Sequence, residues 1–144
     1  MNSPRLILSI IAVFIGLFGT DFFIHGIWLV PDYKSIPEVL RPDSEMSKRF
    51  GWILLYQFVC ASILSMLWAK TFANRPSVAS GALFGGLMGA FFQSSSFVSH
   101  AVFPLPSSIM TKWVVAGIIQ MALMGVLLFY IYKPLPTAPS TATA

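Results

Sequence analysis

Four stretches of this chain are long and apolar enough to cross a bilayer, and each carries one strongly polar side chain: Asp21, Gln57, Gln93 or Gln120. Runs of about 20 apolar residues match the length of a helix crossing the hydrocarbon core. The expected fold is all-α, a four-helix transmembrane bundle, with spans at about 6–30, 50–69, 78–99 and 113–132. A loop over 31–49 joins the first two. Residues 1–133 then form a single membrane domain, and the Pro/Thr/Ala-rich residues 134–144 a disordered tail.

A soluble helical bundle is the rival, but it needs a polar face along each helix. These segments are apolar nearly all round. Charged residues make up 10% of the chain, against about 25% in an ordinary soluble domain. Four spans and their loops consume most of the 144 residues, which leaves no room for a soluble catalytic domain. Met1 to Arg5 followed by an apolar run is how a signal peptide begins. The run continues past Gly19 to Val30 without an A-x-A-like site, so the segment is expected to be retained as an anchor.

The formal charge of +4 does not point to nucleic acid, because the basic residues bracket the spans instead of forming one face. One side of the bundle carries Arg5, Lys70, Arg75 and Lys133, and the other Lys34, Arg41, Lys48, Arg49 and Lys112. The counts nearly balance. Four of the five on the second side lie in one acid-rich loop, and Lys70 and Arg75 flank a tight hairpin. The expected orientation therefore has both termini cytoplasmic. Trp28, Trp52, Trp68, Trp113, Tyr130 and Tyr132 fall near span ends, where amphipathic rings favour the interface. Ser35-x-x-Glu38 has capping-box spacing, Pro31 is expected to end the first span, and Asp43 to cap the second.

Centring each span, at about 1.5 Å rise per residue, puts Asp21, Gln57, Gln93 and Gln120 within roughly one helical turn of depth, in the half nearer the 31–49 loop. Small residues indicate facing. Gly81, Gly85 and Gly89 repeat every fourth position and lead to Gln93, a ridge that lets another backbone approach closely. Ala12, Gly16 and Thr20 form a similar ridge in the first span, and Ala116 and Gly117 flank Gln120. A carboxylate near mid-bilayer costs at least about 2.5–3.5 kcal/mol, so Asp21 is expected to face the interior. His25 lies one turn further along the same face.

These residues admit several chemistries. The broadest is a ligand or proton pocket lined by Asp21, His25, Gln57, Gln93, Ser96, His100 and Gln120, which binds or helps move a small polar solute, a lipid head group or a proton. A metal site built from Asp21, His25 and His100 is a second, since two imidazoles and a carboxylate suit zinc or non-haem iron. A third is an accessory subunit of a larger membrane complex, docking through its Gly ridges. Glutamines that merely join helices by hydrogen bonds are the structural alternative. Catalysis has little support: G-x-S-x-G and H-E-x-x-H are missing, and serines in membrane helices, such as Ser94 to Ser96, commonly back-bond to carbonyls. The lone Cys60 excludes an intramolecular disulfide, and no motif names a cofactor. The expected partners are the lipid bilayer and further copies or a larger complex, with no nucleic acid.

The run Asp21-Phe-Phe-Ile-His25-Gly-Ile-Trp-Leu29, followed by Tyr33, Pro37, Arg41-Pro42 and Glu45-Met46, resembles small four-span bacterial membrane proteins of unknown function. The resemblance covers residues 21–46. It implies a multi-pass protein of the bacterial inner membrane and brings no activity or site residues with it.

Overall fold

The computed structural model describes residues 2–72 and 76–132. Arg75, Lys133 and the 134–144 tail, for which the sequence carries expectations, lie outside the described residues. The described chain is all-α. Helix α1 (Ser3–Phe23) is capped by the Asn2 side chain, which accepts from Arg5 N, with Pro4 in the first turn where its missing N–H costs nothing. It runs directly into a π-helical turn, Ile24–Trp28, in which Leu29 N donates to Ile24 O. Short helices α2 (Val30–Lys34) and α3 (Asp43–Lys48) follow, then α4 (Phe50–Thr71), α5 (Val78–Gln93), α6 (Ser95–Val102) and α7 (Ser107–Ile131).

Among the described residues three segments are long and apolar enough to cross a membrane: Ser3–Trp28, Phe50–Thr71 and Ser107–Ile131. Large apolar side chains such as Ile11, Phe22, Phe58, Leu87, Phe91 and Ile119 stand exposed along the bundle. Continuous apolar exposure of this kind belongs to a membrane-embedded protein. The expected third span, 78–99, is not one helix. It divides at Ser94 into α5 and α6. Ser94 Oγ donates to Phe91 O at 2.6 Å and Ser95 Oγ to Phe92 O at 2.8 Å, and such back-bonding competes with the helical ladder.

The first span stops at Trp28, just short of Pro31, which occupies the first turn of the separate short helix α2, where proline is tolerated. Other local expectations in the first loop need correction. Ser35 forms no capping box with Glu38. Its hydroxyl donates back to Asp32 O at 2.6 Å. Asp43 is the first residue of α3, not the cap of α4. Nor is the loop wholly wet: Ile36 packs with Leu105 and Ile109 in a small core of its own. The cap that the serine spacing conceals is at α5, where Ser77 and Ser80 bond reciprocally.

Helix α5 packs along α7, while α1 packs against both α4 and α7. At one end the Asn2 amide donates to Tyr132 Oη at 3.1 Å, so the described chain starts and finishes together. At that end α4 meets α5 through aromatic rings, Phe72 standing 4.9 Å and Trp68 5.6 Å from Phe84. Trp68 and Tyr132 are buried in the main core, not placed as interfacial anchors. Toward the other end, beneath the 31–49 loop, a cleft bordered by α1, α4, α5 and α7 remains.

Candidate functional site

The α5–α7 contact positions the site. A Cβ on Gly85 would overlap the Met121 carbonyl oxygen and stand 2.7 Å from its carbon, and one on Gly89 would stand 2.8 Å from Ile118 Cα. Gly81 faces Gly125, whose own Cβ would overlap Gly81 O. The ridge Gly81, Gly85 and Gly89 is thus an internal contact. It leads to Gln93, whose side chain lies where a Cβ on Gly117 would be. In α1, Gly16 lets Met124 approach, and Thr20 Oγ1 donates to Gly16 O at 2.7 Å while accepting from Gln120.

Asp21 is the centre of the resulting network. Gln57 Nε2 of α4 donates to Asp21 Oδ2 at 2.7 Å, and Gln120 Nε2 of α7 donates to Asp21 Oδ1 at 2.7 Å and to Thr20 Oγ1 at 2.7 Å. Each carboxylate oxygen therefore accepts an amide N–H from a different helix. Gln57 is 1% exposed, and its Oε1 has no hydrogen-bond partner. Among the described residues no ion pair reaches Asp21.

Asp21, His25, Gln57, Gln93 and Gln120 line a single cavity of about 120 Å³, together with Tyr56, Cys60, Phe92 and Trp113. A second cavity, of about 420 Å³, lies under the loop and is lined by Tyr33, Leu40 and Met46; it shares His25, Gln93 and Trp113 with the first. These three residues form the wall between an inner chamber and an outer vestibule.

That wall is hydrogen-bonded. Trp113 Nε1 donates to Tyr33 Oη at 2.8 Å, and Tyr33 Oη meets His25 Nδ1 at 2.5 Å. The indole can only donate, so the phenol proton goes to Nδ1 and neutral His25 carries its own proton on Nε2. Burial raises the Tyr33 phenol to about 12, against a smaller lowering by the Trp113 bond, so it stays a donor at neutral pH. The π-turn holds His25 at this position, as such turns often do at functional sites. Lys112 fastens the loop from outside: its Nζ lies 2.7 Å and 2.9 Å from the two Asp32 oxygens and 5.8 Å from the Trp28 ring centre.

Comparison with known proteins finds no matching family model, no similar curated protein and no similar solved structure. The site is therefore read from its own chemistry.

Two expected pocket residues are not in the wall of the inner cavity. Ser96 donates to Gln93 Oε1 at 2.9 Å and so holds that side chain from behind. His100 Nδ1 bonds to Leu105 O at 2.6 Å, tying the end of α6 to the turn that follows. This corrects the metal set: among the described residues no three His, Cys, Asp or Glu side chains stand together as metal ligands, so Asp21, His25 and His100 do not converge. Its physical cause is the break at Ser94 and the Leu105 carbonyl, which engages the imidazole. Tyr33, Tyr56, Cys60 and Trp113 escaped sequence reasoning as lining residues. Cys60 lies three residues after Gln57, and Trp113 seven before Gln120, so helical spacing alone places them on the same faces.

Proposed function

We propose that this protein is a four-span membrane protein whose intramembrane pocket binds a small polar solute and takes part in its movement across the bilayer. The observation that carries this is the Asp21 carboxylate, bonded by amides from two other helices in a cavity walled by four, with the Gln57 carbonyl beside it left unpaired. Two bonds to a charged acceptor contribute about 1.5–3 kcal/mol each. They offset the cost of about 2.5–3.5 kcal/mol for a carboxylate at mid-membrane without making it better than a well-packed apolar side chain. A charge kept on such terms calls for a role beyond holding helices together.

Helices α5 and α6 together make the remaining span, third in chain order and broken at Ser94. The vestibule makes the pocket reachable from the side of the 31–49 loop. An even number of spans and the basic residues Lys70 and Arg75 between the second and third spans support cytoplasmic termini, and the resemblance of residues 21–46 supports the bacterial inner membrane. Four spans are few for a transporter acting alone, so more than one copy is the working unit. Purification in mild detergent, followed by mass spectrometry of co-purifying small molecules for wild type and Asp21→Asn, tests the reading. A ligand held by the wild type and lost in the variant is expected. Empty spectra from both would contradict it and favour an accessory subunit without a site.

A further inference from the structure

We infer that the ligand of the Asp21 pocket is a small organic monocation, an ammonium or guanidinium group bearing few carbon atoms. This rests on the pocket reading above and adds to it the sign of the ligand's charge.

Three independent features of the wall agree. The first is charge. Among the described residues Asp21 is the one formally charged side chain lining the inner cavity; the remaining polar groups there are amides, a phenol, a thiol, an indole and an imidazole whose Nδ1 accepts from Tyr33. Lys112, near the start of α7, is engaged by Asp32. In a medium of low dielectric an uncompensated carboxylate attracts a cation far more strongly than it would in water.

The second is hydrogen-bond capacity. A carboxylate offers about four lone-pair sites, and the two amides use one on each oxygen. The Gln57 carbonyl oxygen beside them is buried without a partner. Asp21 thus keeps unused acceptor sites, and what completes them is a group of N–H donors. An anion would face the carboxylate, and a solute with acceptors alone would leave those sites unfilled. A bare proton would not fill the cavity.

The third is the apolar part of the wall. Tyr56, Phe92 and Trp113 bring three aromatic rings to a cavity of about 120 Å³. Aromatic rings beside a carboxylate are surroundings that favour ammonium-like ions, which are attracted to π electrons. Hard divalent metal ions want six or more oxygen ligands or a retained water shell, and this wall does not supply them. The volume restricts the ligand to a few heavy atoms.

Guanidinium and urea are close in shape and differ in charge, so they separate these features. The full chain is reconstituted in nanodiscs at constant ionic strength. Tryptophan fluorescence, which Trp113 in the wall reports, is followed during millimolar titrations with guanidinium, methylammonium, urea or acetamide. The expected result is saturable binding of both cations, at least about tenfold tighter than the neutral solutes, a difference of roughly 1.4 kcal/mol. That preference should vanish in Asp21→Asn and survive in Asp21→Glu. The guanidinium–urea comparison needs only the wild type, so it stands even where a variant does not fold. Equal binding of urea and guanidinium would overturn the cation assignment and leave a pocket for neutral solutes. Cation binding unchanged in Asp21→Asn would overturn it by placing the cation elsewhere. Binding of neither class, with no ligand found by mass spectrometry, would remove the pocket function as well.

Discussion

Gln57 can satisfy the Asp21 carboxylate only through Nε2, and doing so leaves its own carbonyl stranded. The pair is therefore strongly coupled. Removing the amide in Gln57→Leu withdraws a donor from a charged acceptor, a loss of about 1.5–3 kcal/mol. In an Asp21→Leu background the same change removes a group that has already lost its partner and should cost far less. Unfolding in detergent across this double-mutant cycle should show a coupling energy within the usual range of roughly 0.5–3 kcal/mol. Additive effects would mean that the two side chains do not meet. The common height of these residues was legible in advance, because an apolar run of known length fixes how deep each member sits. Their direction around the helix was less so. Gln57 has only Ala61 and Ser65 along its row, a weak signal, yet it is the most buried of the four. The role of His100 was not legible at all, since the carbonyl that holds it belongs to Leu105 in the turn beyond the helix.

Among the elements, the α5–α7 contact depends on hydrogen in place of side chains. Gly85→Ala sets a methyl group against the Met121 and Ala122 backbone, where nothing flexible can yield. Overpacking of this kind costs about 1–3 kcal/mol. Gly86, one residue on, has open space where its Cβ would stand, and Gly86→Ala should be neutral or stabilising by up to about 1 kcal/mol through helix propensity. Thermal unfolding of the two variants in the same detergent checks the contrast; equal effects would refute the packing. Four-residue glycine spacing was enough to foresee that this ridge meets a helix. That the helix would be α7 was not, because small-xxx-small ridges serve internal and intermolecular contacts alike. The break at Ser94 escaped because three consecutive serines read equally well as a polar patch on an unbroken span. Trp68 and Tyr132 were misplaced for a related reason: position near a span end does not distinguish a ring facing the interface from one filling the core between helices.

The bundle as a whole is closed at the end where the described chain starts and finishes, and hollow at the other. Trp68, Phe72 and Phe84 close one end, and the Asp21 chamber with its vestibule occupies the half beneath the loop. Composition and span length made the all-α membrane architecture readable. The vestibule was not, because it depends on Tyr33 folding back over eight residues to His25 and on the Asp32–Lys112 pair that fastens the loop. The central claim is that Gln57, Gln93 and Gln120 line a polar cavity inside the bundle while their neighbours Phe58, Phe91 and Ile119, each more than half exposed, stand on its outer apolar surface. Since Cys60 is the one cysteine in the chain, a Cys60→Ala background allows single cysteines to be placed at each of these six positions in turn. The most direct measurement is their modification by a charged, membrane-impermeant thiol reagent added on the loop side of reconstituted vesicles. Labelling at 57, 93 and 120 with protection at 58, 91 and 119 is the expected result. Equal labelling of the two sets, or the reverse pattern, would contradict the account.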